Sequence, residues 1–102
     1  PQACLLGAEA QGSVIGMCSG QLTVSTAEGG PALLVEDVVV RGEWRGRGVG
    51  RLLLESLGEW AGKRNISRLQ LLADRNNTPA LAFYRKLGWQ TTALICLRYQ
   101  RR

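Results

Sequence analysis

The chain has 102 residues, 45% hydrophobic and 21% charged, with a formal charge of +5 and a pI near 9.7. That length suits one domain, 1–102, with one modest core; no apolar run approaches the ~18 residues of a membrane span, and no basic leader opens it. Three scattered cysteines (Cys4, Cys18, Cys96) and no histidine argue against a metal site, exclude a Cys–His nucleophile and fit a reducing, cytoplasmic setting.

In chain order, Ala3 to Ala10 and Val14 to Thr26 read as strands, joined by a hairpin turn at Gln11-Gly12-Ser13. Ala27-Glu28-Gly29-Gly30-Pro31 is a loop. Ala32 to Val40 is the third strand, and its nearly continuous apolar run marks it as central and buried. A helix follows from about Gly48 to Ala61, with Val49, Leu52, Leu53, Leu57 and Trp60 on its apolar face and Gly62 ending it. Ser67 to Ala73 is a short strand and Asp74 to Asn77 a loop. Thr78 suits an N-cap and Pro79 the first helical position. That helix stops at Gly88. Trp89 to Tyr99 alternates like a last strand. The order β-β-β-α-β-α-β predicts an α/β fold with a mixed sheet. The cysteines read as small core residues.

The loop between the third strand and the first helix carries the chemistry. Arg45-Gly46-Arg47-Gly48-Val49-Gly50-Arg51 is dense in glycine and arginine and runs into a helix N-terminus. Free N–H groups and the helix dipole there favour an anion. A Walker loop would need Lys and then Ser or Thr after its last glycine, but Arg51 and Leu52 follow Gly50. A dinucleotide fingerprint would need G-x-G-x-x-G and an acidic residue about 20 positions on, where this chain has Gln70. The pattern is R-x-x-G-x-G, filled by Arg45, Gly48 and Gly50; the bland alternative is a solvated turn. The chain's positive charge would also suit nucleic acid, but much of it is concentrated in this loop, where a small polyanion accounts for it.

A second block reads Asn77-Thr78-Pro79-Ala80-Leu81-Ala82-Phe83-Tyr84-Arg85-Lys86-Leu87-Gly88-Trp89. Together the two blocks resemble the GCN5-related N-acetyltransferase family, whose later motif N-x-x-A-x-x-[FLI]-Y-x-x-x-G-[FW] is filled at every fixed place. The resemblance spans roughly residues 4 to 100. It implies acetyl-CoA as cosubstrate, with its pyrophosphate on Arg45, Gly46, Arg47, Gly48, Val49, Gly50 and Arg51. A splayed or bulged third strand would leave the backbone of Val38, Val39 and Val40 free for the pantetheine arm and the thioester oxygen. The family's matching Glu-Asp pair lines the acceptor site. That makes Glu36 or Asp37 the expected general base or cation binder, with burial as the reason for a raised pKa. Adjacent residues of a regular strand face opposite sides, so only the family's bulge would bring both to one site. The opposing reading is a surface pair bridged to Arg41 or Arg75. The family's motif tyrosine points at the sulfur, so Tyr84 is the expected general acid; a plain core role beside Phe83 is its alternative. Asn77 reads equally as a pantetheine partner or a helix cap.

The resemblance also sets an expectation about what is absent. The family normally opens with a strand and two helices that wall the acceptor site, and a 102-residue chain starting at Pro1 has no room for them. A truncated, processed or naturally short member would each read this way. Either acceptor binding is compromised or a second copy supplies the wall, and an open sheet edge favours pairing between chains. We therefore expect a homodimeric N-acetyltransferase acting on an amine acceptor that the residues do not specify. Its rivals are a non-catalytic coenzyme A-binding module and, less in keeping with the loop, a basic nucleic-acid-binding protein.

Overall fold

The structure, a computed structural model, describes residues 3–25 and 29–101. Two compact units make up the chain, residues 1–71 and 72–102.

The first unit is a four-stranded sheet in the order β1-β2-β3-β4, with β1 Ala3–Ala10, β2 Ser13–Ser25, β3 Gly30–Val40 and β4 Arg68–Leu71. β1 to β3 run antiparallel, and β4 joins β3 in parallel. Gln11 and Gly12, both at positive φ, make the two-residue turn between β1 and β2, as hairpin twist requires. The end of β2 expected at Thr26 and most of the loop expected at 27–31 lie outside the described residues; Gly30 and Pro31 already belong to β3.

Helix α1, Val49–Gly62, lies against one face of this sheet. Leu53, Leu54, Leu57 and Ala61 are its buried residues, and Ile15, Cys18, Leu33 and Val35 are their counterparts in β2 and β3. Leu52, expected on the apolar face, is 60% exposed. The packed stripe is centred on the 53-57-61 row, with Leu54 beside it. Cβ positions at Gly16 and Gly20 show why β2 carries glycine there. At Gly20 a Cβ would lie 2.8 Å from Leu33 side-chain carbons. At Gly16 it would meet Val39 O, Val49 Cγ1 and Leu53 Cδ1 at 3.1–3.2 Å. The N-terminal turn of α1 thus sits close on β2, beside the end of β3.

The second unit contains α2, Thr78–Lys86. Its N-cap is Asn77 rather than Thr78: the Asn77 Oδ1 accepts the Ala80 N–H at 3.2 Å, and Pro79 lies in the first turn. The strand expected over Trp89–Tyr99 does not form, since no ladder pair involves these residues. Alternation describes side chains, whereas a strand also needs a backbone partner. From Thr91 to Arg101 every residue is exposed, both sets of the alternation alike. Cys96, expected in the core, is among them, while Cys4 and Cys18 are buried. No helix of the described residues is long and apolar enough to cross a membrane.

Candidate active site

The β2–β3 ladder slips by one residue at the two acidic side chains. Gly20 pairs with Val35 and Ser19 with Asp37, leaving Glu36 unmatched as a bulge. Val35 is buried toward α1, so alternation sends Glu36 to the opposite face. Val38 pairs with Cys18, whose Sγ reaches Leu53 O of α1 at 3.7 Å, so counting back sends Asp37 to that opposite face too. The bulge therefore gives both carboxylates one side of the sheet. Both are exposed, which overturns the expectation of acids buried in a core strand: β3 is buried at Ala32, Leu33 and Val35 and opens beyond. Among the described residues Asp37 has one hydrogen-bond partner, the Ser19 hydroxyl, which donates to Oδ2 at 3.2 Å. Arg41 pairs with Glu43 at 2.8 Å rather than with Glu36.

Just past the bulge, β3 has a free edge. β4 pairs with β3 only from Ala32↔Arg68 to Val35↔Leu71. Val38, Val39 and Val40 pair with Cys18, Met17 and Gly16 of β2, and among the described residues with nothing on the other side. Their outward backbone groups can take an extended ligand as an added strand. The Arg41 N–H closes the ladder onto Ile15 O at 2.8 Å, and a 3-10 turn, Gly42–Trp44, leads into the glycine loop.

The loop is shaped by backbone that only glycine adopts cheaply. Gly46 and Gly48 sit at φ of +76° and +83°. Gly48 is the N-cap of α1, with no side chain capping the helix. The first helical bond runs from Leu52 N–H to Gly48 O at 3.0 Å, so the N–H groups of Val49, Gly50 and Arg51 have no acceptor within the helix. No acidic residue occupies that first turn. Arg45 Nε donates to Val40 O at 3.2 Å, tying the loop to the strand end. The Arg47 guanidinium lies 4.8 Å above the Trp44 ring, and Arg51 pairs with Glu55 at 3.2 Å. Arg45 and Arg47 have no carboxylate partner among the described residues, so the loop keeps their positive charge. Bare N–H groups, helix dipole and cations are the features that suit an anion.

Tyr84 and Asn77 belong to the second unit; every other candidate belongs to the first. Tyr84 is half-buried between Phe83, 5.3 Å away edge-on, and Trp89, 5.7 Å away. Its carbonyl accepts the Leu87 and Trp89 N–H groups, both at 3.0 Å, and Gly88 at φ +95° makes that turn possible. Burial pushes the Tyr84 phenol up from its usual 10, so it stays protonated through the neutral range. Burial likewise raises the Cys18 thiol to about 11 and raises Cys4, so neither is a thiolate nucleophile at neutral pH. Ser19 and Trp44 escaped the sequence reading. Ser19 becomes visible only through the shifted register, and Trp44 only through the stacking of Arg47.

Residues 1–89 match the Acetyltransferase (GNAT) family. A streptothricin acetyltransferase of Streptomyces lavendulae is 32% identical over 85 residues, which is 83% of this chain and 45% of that protein. Mouse N-alpha-acetyltransferase 80 is 46% identical over 59 residues, 58% of this chain and 18% of that protein. The chain thus spans less than half the length of these relatives. The structure of AAC(6')-Iy in complex with the bisubstrate analogue CoA-S-monomethyl-acetylneamine superposes with a TM-score of 0.87 at 20% identity. That match covers 99% of this chain and 71% of the other, a likeness of fold.

Proposed function

This chain belongs to the acetyltransferase (GNAT) family, and from that membership we propose that it transfers acetyl from acetyl-CoA directly to a primary amine. One observation supports this most: the bulged carboxylates, the open edge of Val38 to Val40 and the glycine loop follow one another along residues 36–51. In this reading the N–H groups of Val49, Gly50 and Arg51 hold the pyrophosphate, with the backbone of Gly46 and Gly48 and the charges of Arg45 and Arg47. The edge of Val38, Val39 and Val40 takes the pantetheine arm, and one of its N–H groups faces the thioester oxygen as charge develops there. Asp37 and Glu36 attract the cationic acceptor and receive its proton through water. The freed nitrogen bonds to the acetyl carbon, the carbon–sulfur bond breaks, Tyr84 gives its proton to the departing sulfur, and the second proton that the nitrogen loses as the amide forms restores the phenol. Asn77 has its Oδ1 committed to the cap, which leaves its amide N–H₂ for the arm.

The streptothricin acetyltransferases among the relatives favour a small-molecule amine acceptor. We further propose a cytoplasmic location and a homodimer; what supports the dimer is that, among the described residues, β1 ends the sheet with an open backbone edge and its Leu5 is 70% exposed. A monomeric mass by light scattering at about 10 µM overturns the dimer. For activity, thermal shift with acetyl-CoA comes first and thiol release over an amine panel second. Saturating acetyl-CoA should raise Tm, and no shift overturns the reading. A shift without thiol release leaves a coenzyme A-binding module as the second reading. With an active amine, Tyr84→Phe should lower kcat about 10²-fold or more; an unchanged kcat removes the general acid.

A further inference from the structure

Resting on that reading, we infer that Ser19 is a positioning residue for the acceptor site, acting through Asp37. Ser19 sits at the point where the β2–β3 register shifts, directly opposite Asp37, and its hydroxyl donates to Oδ2 at 3.2 Å. A hydrogen bond to a carboxylate is stronger than one between neutral groups. Serine's single χ angle on a paired strand gives the donor a fixed origin. Asp37 is thereby held with one oxygen engaged and the other open on the face away from α1. Glu36, the unmatched residue of the bulge, has no such tether among the described residues and has one more rotatable bond. The two acids therefore divide the work. Asp37 is the oriented carboxylate that aligns the incoming ammonium group, and Glu36 is the mobile one that receives its proton. Ser19 sets the alignment without touching the reacting atoms.

The test is steady-state kinetics on the full chain with an amine active in the thiol-release panel. Ser19→Ala should raise KM for the amine about fivefold, the scale of one partly exposed hydrogen bond to a charge. KM for acetyl-CoA and Tm should stay at the wild-type values. Ser19→Thr, which keeps the hydroxyl, should restore the amine KM. In a double-mutant cycle Ser19→Ala should add nothing on an Asp37→Asn background and should multiply with Glu36→Gln. If Asp37→Asn weakens amine binding while Ser19→Ala does not, the role of Ser19 is overturned and the acceptor site stands. Full multiplicativity of Ser19→Ala with Asp37→Asn also overturns it. If Asp37→Asn itself changes nothing, the reading of Asp37 falls and the inference with it.

Discussion

Residues 1–71 and residues 72–102 hold their candidate groups in place by different means. In the first unit, position comes from packing. Leu33, Leu57 and Cys18 are fully buried, α1 contributes four buried residues, and Gly16 in β2 lets the helix approach. The loop and the bulge hang from that frame. In the second unit α2 has no buried residue. Tyr84 is placed by local devices instead: the Asn77 cap, the turn at Gly88 and the rings of Phe83 and Trp89. An anion cradle must keep several N–H groups aimed at once, which a packed frame does well. A single proton donor needs only one side chain held in a partly dry setting.

Substitutions can break this contrast, and the largest effect belongs in the frame. Leu57→Ala removes a side chain with no solvent exposure and should cost about 2–5 kcal/mol, read by urea denaturation. A smaller loss would mean that the frame collapses around the cavity. Next comes Gly48→Ala. A Cβ there meets nothing within 4 Å, so the cost is that of alanine at φ +83°, about 1–2 kcal/mol. The expected accompaniment is weaker acetyl-CoA binding by calorimetry, because the helix start moves. In the second unit Asn77→Ala should cost only about 1 kcal/mol of helix stability, seen as lost hydrogen-exchange protection over residues 78–87. Loss of protection in β1 to β3 as well would show that the two units unfold together.

The same contrast explains what could be read from residues alone. The hairpin, the buried start of β3, the glycine loop and the block from Asn77 to Trp89 are local patterns, and local patterns are legible in one sequence. Register is not local: the slip that pairs Ser19 with Asp37 and frees Glu36 depends on β2 and β3 together. The exposure of Glu36 and Asp37 has the same non-local origin, since the shifted register turns both to the face away from α1. Alternation at Trp89–Tyr99 suggested a strand because apolar period carries no information about a backbone partner. Leu52 and Leu54 differ by half a turn, and only the tertiary contact decided which one was buried. Thr78 and Asn77 are both good caps, and the hydrogen bond to Ala80 chose between them.

The last expected effect, absent at neutral pH, is a pH dependence at Cys18. Burial, reinforced by nearby Cys4, raises the Cys18 thiol from 9.0 to about 11. In the unfolded chain this thiol ionises first, so between about pH 9 and pH 11 the unfolded state binds fewer protons than the native one. Stability from this group is therefore complete below that window and falls as pH rises through it. Cys18→Ala cannot titrate; it also gives up the contact of Sγ with Leu53 O, so it should be slightly less stable at pH 7. Its Tm should then fall less steeply than that of the wild type from pH 9 to 11. Parallel Tm curves would mean that Cys18 reaches solvent in the native state, and the claim that α1 seals this face of β2 would fail with it.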